Sequence, residues 1–349
     1  MNIKSLLLGS AVASVAFTGA QAADAIFVPE PEPMEYVRVC DVYGAGFFYI
    51  PGTETCLKVG GYVRYQIDWA DGDDGWRKSS RAQLTLDARS ETELGTLRSF
   101  AELWFNQTNA GSYGSNDTWF NPSFGGSALN LRNAFIELGG LYLGLKTTLW
   151  DGGLDGEYDN FGYDSKIYTV GYNFAAANGI TVSLGLEEFD NDYDYTPNVV
   201  GKVGIKQGWG SVNLWAAYDA TLEEWAAKAI ANVKLADPLT LQLAAAYSSG
   251  YSIYAPRAYV ASEASSYGAY EWSLGGHLKY AVNNKLALGF GGQYWADEHY
   301  WGGNDWSVGA VVDYQIVKGF DAKLAVNYSD GDNYLDGTWG GFLRLQRNF

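Results

Sequence analysis

The feature that most constrains the fold of this chain is a regular two-residue alternation of side-chain character. Between residues 57 and 69, apolar or small residues occupy the odd positions, and the even positions carry most of the polar and charged residues. Neighbouring side chains of an extended strand point to opposite faces, so this segment would have one apolar face and one charged face. In a helix, the same alternation would distribute the apolar and the polar residues around the whole surface. The pattern therefore predicts a β-strand.

The same alternation recurs in sixteen segments, most of them about the length that a tilted strand needs to cross the hydrocarbon core of a bilayer. An even number of strands permits a closed antiparallel barrel. The predicted fold is all-β: a transmembrane antiparallel β-barrel of about 16 strands. The segments are 57–69, 80–89, 97–106, 129–138, 141–147, 166–174, 180–188, 199–207, 211–219, 225–235, 239–247, 271–280, 285–295, 305–314, 320–328 and 338–349. The phase of 129–138 is ambiguous.

A soluble β-sandwich would show the same alternation, because its apolar faces pack together and its polar faces meet water. The connections distinguish the two folds. Short connections, such as 139–140 and 208–210, alternate with long ones at 107–128, 148–165 and 248–270. Short turns at one end and long loops at the other are typical of outer-membrane barrels. A secreted sandwich that binds sugars through its aromatics is the weaker interpretation.

Aromatic residues on the apolar face gather near the two ends of the strands. Two bands of this kind are typical of proteins that sit in both membrane interfaces. The residues at the long-loop ends are Tyr218, Tyr247, Tyr294, Trp306, Tyr328 and Trp339, and those at the short-turn ends are Tyr172, Phe174, Tyr280, Tyr314, Phe320 and Phe349.

The start of the chain indicates export. Lys4, the apolar stretch 6–17 and the small residues before position 23 form a secretory signal peptide over residues 1–22, with cleavage expected after Ala22. The apolar stretch is too short to span a bilayer. Residues 23–55 are expected to form a periplasmic N-terminal segment, and residues 56–349 the barrel.

Composition narrows the functional classes. The chain has only 2 histidines, and neither His277 nor His299 lies in a hydrolase or zinc-protease motif, so no enzyme is predicted. The net charge of -17 becomes -18 once a signal peptide with one lysine and no acid is removed. Such a charge predicts a preference for cations and no binding of nucleic acid. Cys40 and Cys56 of an exported chain predict a disulfide, the alternative being two buried free thiols.

The connection 148–165 carries the clearest functional signal, because it is rich in acids. The prediction is that this loop folds into the lumen and narrows the pore, the alternative being a solvated surface loop. Basic residues in the inward phase of the early strands would face it across a water-filled constriction. Alternatively, these charges only solvate the lumen and neutralise one another. The acids are Asp151, Asp155, Glu157, Asp159 and Asp164, and the basic residues are Arg64, Arg81, Arg89, Arg98, Arg132 and Lys146, with Glu102 among them.

No resident cofactor or metal is predicted, but three acidic loops resemble sets of calcium ligands. Their spacing differs from that of an EF-hand, so solvated loops are the favoured interpretation. A loosely bound Ca²⁺, or divalent bridging to lipopolysaccharide, remains open. The sets are Asp71, Asp73 and Asp74; Asp190, Asp192 and Asp194; and Asp330, Asp332 and Asp336.

Both ends of the chain resemble the alphaproteobacterial outer-membrane porins of the rhizobial and Brucella type. The resemblance rests on MNIKSLLLGSA, GAQAADA, EYVRVCDVYGAGFFYIPGTETCLKVGGYVRY, SETELGTL and the closing WGGFLRLQRNF, with an echo at AYDATLEEWAAK. It implies a homotrimer of sixteen-stranded barrels, each with its own aqueous channel narrowed by the third external loop, here 148–165. It also implies that Phe349 is recognised as the C-terminal signal for barrel assembly.

The predicted function is therefore that of a general diffusion porin, with passive passage of ions and small hydrophilic solutes and a mild cation preference. The expected partners are outer-membrane lipid, lipopolysaccharide and further copies of the chain. The alternative is an outer-membrane adhesin that binds host or carbohydrate through the long loops 107–128 and 248–270. The aromatics of those loops are Tyr113, Trp119, Tyr251, Tyr254 and Tyr259.

Overall fold

The computed structural model describes residues 38–72, 75–108, 127–162, 164–189, 196–257 and 269–349, so the predicted signal peptide and residues 23–37 lie outside the described residues. Within these ranges, sixteen long strands each pair antiparallel with the next one in the chain, and the last pairs with the first. The closed barrel predicted from the alternation is confirmed. No helix among the described residues is both long and apolar enough to cross a membrane.

The strands extend the predicted segments by a few residues at most. Two short 3₁₀-helices, Asp41–Tyr43 and Ala177–Gly179, lie outside them. The strands are β1 Phe48–Tyr49, β2 Cys56–Ala70, β3 Arg77–Thr92, β4 Gly95–Thr108, β5 Ser127–Leu138, β6 Leu141–Thr147, β7 Lys166–Ala175, β8 Ile180–Glu188, β9 Asn198–Gln207, β10 Gly210–Asp219, β11 Glu224–Ala236, β12 Leu239–Ser248, β13 Tyr270–Ala281, β14 Leu286–Glu298, β15 Asp305–Val317, β16 Phe320–Gly331 and β17 Thr338–Asn348.

The apolar face of the strands points away from the lumen. On β8, Leu184 and Leu186 are 54% and 44% exposed, whereas Glu187 is 1% exposed on the inner face. A barrel whose apolar face is open and whose polar face is enclosed suits a bilayer rather than water. The aromatic band near the long loops extends from β10 to β17, and neighbouring rings lie 4.5 to 5.5 Å apart between centroids on β11 to β13 and on β15 to β17. Trp225 and Trp272 join the members of this band that the sequence indicated.

A β-bulge explains the ambiguous phase of the segment 129–138. Glu102 of β4 lies opposite Asn133 of β5, but Leu103 lies opposite Leu131, so Arg132 has no residue opposite it. One extra residue in a strand shifts the alternation by one position. Asn133 donates a hydrogen bond to Glu102, and the Arg132 guanidinium lies 4.2 Å from the centre of the Trp104 ring. Two consecutive side chains therefore point inward.

The last residue closes the seam between β17 and β2. Phe349 and Gly61 exchange two backbone hydrogen bonds of 3.0 and 3.1 Å. The Phe349 ring lies against Gly61, where a Cβ atom would lie 3.2 Å from the ring and 2.0 Å from the Gln83 carbonyl oxygen. Glycine is therefore required at position 61, because a side chain there would collide with the backbone of β3 and press on the Phe349 ring.

The N-terminal residues before the barrel are held by the Cys40–Cys56 disulfide, and the predicted pairing is confirmed. Strand β1 pairs with Cys56 and Leu57 at the start of β2, whereas β17 pairs with β2 only from Tyr62 onward. Phe47 is buried against the disulfide, and the Arg89 guanidinium lies 5.1 Å from the centre of its ring. This segment therefore covers the edge of β2 at the short-turn end of the barrel.

Candidate constriction site in the barrel lumen

Residues 148–165, the inner loop, connect β6 and β7 and lie inside the barrel. The Trp215 indole donates a 2.9 Å hydrogen bond to the Leu149 carbonyl, and the Asn160 N–H donates a 2.7 Å bond to the Gln293 side chain. Further along the wall, the Asn327 side chain donates a 2.7 Å bond to a carbonyl of the loop. These partners lie on β10, β14 and β16, so the loop follows the inner wall. The prediction that it folds into the lumen is confirmed.

A buried lysine that the sequence did not single out anchors the inner loop. The Lys228 ammonium on β11 donates hydrogen bonds of 2.6, 2.9 and 2.7 Å to the carbonyls of Trp150, Gly152 and Phe161. An ammonium group carries three N–H donors, and each of them has one carbonyl acceptor here. Lys228 therefore joins both limbs of the loop to the barrel wall, because its acceptors lie near the start and near the end of the loop.

The inner loop buries its own apolar side chains against the wall. Trp150, Leu154, Tyr158 and Phe161 form a core with wall residues of β9 to β12. On β13 and β14 the loop meets glycines: a Cβ on Gly275 would lie 2.5 Å from the Phe161 ring, and one on Gly291 would lie 2.0 Å from the Tyr158 hydroxyl. Small residues at lumen-facing positions, where polar ones are expected, are the sequence signal that could have located this core.

Tyr158 attaches the middle of the loop to β13. Its hydroxyl donates a 2.8 Å hydrogen bond to the Gly276 carbonyl and lies 3.0 Å from His277 Nδ1. Because the hydroxyl proton is used by the carbonyl, His277 is the donor in the second contact. His277 thus has the structural role in the lumen that its inward phase indicated.

A second segment, residues 249–257, also folds inward from the long-loop side. Tyr254 is 2% exposed, packs its ring on Trp150 and donates a 3.1 Å hydrogen bond to Glu187. Glu187 in turn accepts bonds of 2.7 Å from the Thr148 hydroxyl and the Leu149 N–H. Tyr254 is therefore part of the interior, which corrects its placement among exposed adhesive aromatics. Tyr113, Trp119 and Tyr259 lie outside the described residues.

Two of the inner-loop acids reach cations of the opposite wall. Asp155 forms a 3.2 Å ion pair with Lys279 on β13. Glu157 forms ion pairs of 2.9 Å with Lys323 on β16 and 3.3 Å with Arg344 on β17. Lys323 and Arg344 were not among the predicted wall residues. They belong to late strands, whereas the predicted basic residues all lie in the early strands.

The other inner-loop acids serve the loop itself and its neck. Asp159 accepts a 3.0 Å hydrogen bond from the Leu154 N–H, which holds the loop in a tight fold. Asp164 pairs with Arg132 and Lys166 where the loop rejoins the wall. Asp151 lies within electrostatic range of Lys202 and Lys228. The five predicted acids therefore belong to one loop but occupy different environments.

The pKa values of two inner-loop carboxyls reflect these environments. Burial disfavours the charged form of Asp155, but Lys279 outweighs it, so the pKa of Asp155 lies below its usual value. Burial raises the pKa of Asp159 to about 6, because the hydrogen bonds from Leu154 and Phe161 offset only part of the desolvation and nearby Glu157 opposes its ionisation. Asp155 is thus the charged partner of a wall lysine, and Asp159 is the more easily protonated of these two carboxyls.

The predicted basic residues divide into separate groups. Arg64 and Arg81 lie directly opposite each other on β2 and β3. Arg132 belongs to the neck of the loop through Asp164. Arg89 and Arg98 both bind the Asp87 carboxylate, at 2.7 and 2.9 Å, near the short turn that follows β3. The prediction that the six face the acidic loop therefore needs correction for the group around Asp87.

Lys146 completes the group near the short turns. It forms a 2.8 Å ion pair with Glu137, which also pairs with Arg98 at 2.8 Å. Asp87 and Glu137 are wall residues that the sequence alone did not indicate as partners. Arg89, Arg98 and Lys146 are inward, as their phase indicated, but their observed carboxylate partners belong to the wall and not to the inner loop.

Of the carboxylates proposed as calcium ligands, those of Asp71, Asp330 and Asp332 accept hydrogen bonds from neighbouring groups. Asp71 accepts a 2.8 Å bond from the Trp339 N–H, and Asp332 accepts a 2.8 Å bond from the Asn304 N–H. Over the described ranges, no group of three or more His, Cys, Asp or Glu residues is arranged to hold a metal ion. Asp73, Asp74, Asp190, Asp192 and Asp194 lie outside those ranges. A loosely bound Ca²⁺ stays a prediction.

Comparison with known proteins gives a family match and close relatives over the full length. The profile of a family described as "Porin subfamily" matches residues 24–342. The porin Omp2b of Brucella canis is 42% identical over 384 aligned residues, which cover 100% of both chains. The relative from Brucella melitensis is 41% identical with the same coverage.

Solved structures share the fold at low sequence identity. The outer membrane channel DcaP of Acinetobacter baumannii matches with a TM-score of 0.61 and 14% identity, covering 86% of this chain and 99% of that one. A triple mutant of the Rhodopseudomonas blastica porin matches with a TM-score of 0.56 and 16% identity, covering 84% and 100%. At such identities the likeness concerns the fold.

Proposed function

Since this chain belongs to the Porin subfamily and is therefore a protein of the bacterial outer membrane, we propose that it is a general diffusion channel. Ions and small hydrophilic solutes would cross its water-filled lumen down their gradients. The observation that carries this proposal is the placement of charge. Arg64, Arg344 and Lys323 line the inner face beside Glu157 of the inner loop. Charged groups at this depth require water around them.

The inner loop would be the narrow part of the path. It packs an apolar core against β9 to β12, which leaves the face formed by β17 and the first strands for solute. That face presents charged and amide-bearing side chains, and Glu157 of the loop reaches one of its arginines. Solutes would be selected there by size and by charge.

The first prediction concerns the two loop acids that pair with wall cations. In the variant carrying Asp155→Asn and Glu157→Gln, Lys279, Lys323 and Arg344 lose their acidic loop partners. We expect the ratio of anion to cation permeability to rise by up to roughly fivefold, since a charge at about 4 Å in water contributes about 1 kcal/mol. Reversal potentials of single channels in a potassium chloride gradient measure this ratio.

The matched control is Asp237→Asn, which removes a carboxylate paired with Lys234 outside the lumen, at a short turn. Its reversal potential should equal that of the wild-type protein. If the loop variant also keeps the wild-type reversal potential and conductance, the inner loop does not border the ion path. A wild-type protein that inserts into the bilayer and opens no channel would overturn the proposed function as a whole.

A mild cation preference would arise at the outer mouth of the channel. Acids such as Glu188, Glu223, Glu298 and Asp336 stand at the long-loop end, whereas Asp155, Glu157 and Asp164 of the inner loop are paired with cations. Interactions between exposed charges fade beyond about 10 Å at 0.1 M salt. The preference is therefore expected to weaken as the ionic strength rises. Reversal potentials at two mean salt concentrations would show a constant preference if the charge lay in the constriction instead.

The protein is also proposed to be a homotrimer that contacts its copies through the outer face of β3 and β4. That face carries exposed Ser80, Ser99 and Gln107, and it lacks the aromatic band found from β10 to β17. Polar residues are disfavoured against lipid tails, so another protein surface is the better neighbour.

The second prediction tests this face by enlarging a small residue. Ser99→Trp should convert the trimer into monomers, because an indole would prevent close packing between copies. The control is Ala310→Trp on the outer face of β15, where lipid can yield to the larger side chain. Mass measurement in detergent by light scattering distinguishes the outcomes. A Ser99→Trp protein with the mass of the wild type would place the contacts elsewhere.

A further inference from the structure

Glu102 is an inward acid of β4 that binds side chains of β3, β4 and β5. It is 9% exposed, and its carboxylate accepts hydrogen bonds of 2.5 and 2.6 Å from the Gln83 amide and the Trp104 indole. The Asn133 amide donates to the second carboxylate oxygen. Each of these donors is a neutral N–H group. A single buried carboxylate therefore joins three strands of the wall.

The strands β5 and β6 separate close to this carboxylate. Their backbone pairing ends at Ala134 and Leu145, whereas β6 continues to Thr147, directly before the inner loop. The bulge in β5 turns both Arg132 and Asn133 inward at this point. The Asn133 side-chain oxygen accepts a 3.0 Å hydrogen bond from the Thr147 N–H. The side chain of Asn133 thus serves as the acceptor for β6 beyond the last backbone pair.

The far end of the inner loop is tied to the same bulge through Arg132. Its guanidinium lies 4.2 Å from the centre of the Trp104 ring and donates to the Asp164 carboxylate and, at 3.1 Å, to the Asp164 carbonyl. The Trp104 indole is in turn held by its hydrogen bond to Glu102. Glu102 therefore supports the end of the loop through Trp104, as it supports the start of the loop through Asn133.

We propose that Glu102 is a positioning residue for the inner loop, which fixes both ends of the loop on the wall and thereby sets the width of the constriction. The proposal rests on the proposed channel function and names a wall residue that controls its size limit. The Asn133 oxygen faces Thr147 only while the Asn133 NH₂ group has an acceptor at position 102. A carboxylate supplies that acceptor, because both of its oxygens accept and neither donates.

Glutamine at position 102 would disturb this arrangement with almost no change in shape, because it replaces one acceptor oxygen with an NH₂ group. With its oxygen toward Gln83 and Trp104, its NH₂ group would face the NH₂ group of Asn133. Rotation of the Asn133 amide would relieve this contact but turn two donors toward each other at Thr147. Either orientation leaves donors without an acceptor, so the start of the loop is held less tightly.

The test is Glu102→Gln in the mature protein, reconstituted in planar bilayers. Polyethylene glycols of graded size measure the width of the lumen, because a polymer that enters the channel lowers its conductance. The variant should admit larger polymers than the wild type admits. Proteolytic cleavage within residues 148–165 should become about tenfold faster. Heat-dependent migration in detergent gels verifies that the variant forms the barrel.

A second variant exchanges the acid and the amide. With Glu102→Gln and Asn133→Asp together, the carboxylate at position 133 can accept from the amide at position 102 and from the Thr147 N–H, and the net charge is that of the wild type. This variant should restore the wild-type polymer limit and a cleavage rate within about twofold of the wild type. Asn133→Asp alone places two carboxylates together and should loosen the loop.

Glu137→Gln is the matched control, because it is the same substitution at another inward acid of the wall. The partners of Glu137 are Arg98 and Lys146, near the short turns. Its removal changes the charge of the lumen equally but leaves the contacts of Asn133 in place. The polymer limit and the cleavage rate should therefore equal those of the wild type.

The inference is wrong if Glu102→Gln keeps the wild-type polymer limit and cleavage rate, or if the exchange variant is as loose as the single one. An equal effect of Glu137→Gln would also contradict it, because loss of charge would then suffice. If Glu102→Gln forms no barrel, recovery of the barrel in the exchange variant supports the inference and continued failure contradicts it. A wild-type protein that opens no channel would overturn the proposed function, while the cleavage rates would still test how the loop is held.

Discussion

Replacing Lys228 with methionine is expected to release the inner loop from the barrel wall and to make the channel noisy, with more frequent states of higher conductance. The variant removes the ammonium that donates to the carbonyls of Trp150, Gly152 and Phe161. A buried carbonyl left without a donor costs about 1–3 kcal/mol. Part of this loss is offset because a buried ammonium no longer has to be desolvated.

The net loss is expected to be about 3 kcal/mol, which would raise the population of the undocked loop roughly a hundredfold. Methionine nearly preserves the length and shape of the lysine stem, so the wall should remain packed. The measurements are the current noise of single channels and the rate of proteolytic cleavage within residues 148–165. Both should increase.

Lys202→Met is the matched control for this prediction. Lys202 lies opposite Trp215 on the neighbouring strand, with its ammonium 4.6 Å from the centre of the same ring that Lys228 approaches at 4.9 Å. Among the described hydrogen bonds, none joins Lys202 to the inner loop. Its removal changes the charge equally and should leave the loop docked. Equal noise in the two variants would show that charge, and not the hydrogen bonds of Lys228, governs the loop.

The second large effect is expected on the opposite face of the same barrel. Leu214 is 50% exposed on the outer face, near the middle of β10. Leu214→Lys should reduce the free energy of unfolding by about 2–4 kcal/mol, because a lysine at the bilayer midplane lies in hydrocarbon. The measurement is equilibrium unfolding by guanidinium chloride in lipid vesicles.

Asn213→Lys is the matched control, since residue 213 adjoins Leu214 but has the inward phase of the strand. A lysine there would meet the aqueous lumen, so its effect should be well under 1 kcal/mol. The contrast between neighbouring positions tests which face meets lipid. If the two substitutions had equal effects, the barrel would not be oriented with its apolar face toward the membrane.

The number and phase of the strands could be predicted because alternation is a local property. Each strand of the barrel has one face in lipid and one in the lumen, so apolar and polar residues alternate within every strand. The one ambiguous segment contains the bulge at Arg132, where an inserted residue breaks the period. The break in the apolar–polar alternation was therefore the sequence sign of this bulge.

The partners of the lumen charges could not be predicted in the same way. Asp155 and Lys279 are far apart in the chain, as are Glu157 and Arg344, and these pairs meet only because the loop crosses the barrel. Arg64 and Arg98 both occupy inward-facing positions of their strands. Arg64 is nevertheless held by an amide, whereas Arg98 is held by two carboxylates. The identity of the neighbour across the strand pair decides this, and alternation contains no information about it.

By itself, the sequence of this protein determined a closed barrel of sixteen strands, the face that meets lipid, the disulfide between Cys40 and Cys56, and the loop that enters the lumen. Only the tertiary structure decided that Lys228 holds this loop, that Tyr254 is interior, and that Arg64 is held by an amide whereas Arg98 is held by carboxylates. The physical reason is the distance along the chain over which each interaction acts. Solvent on either side of a strand acts on each residue separately, whereas hydrogen bonds within the lumen join residues that only closure of the barrel brings together.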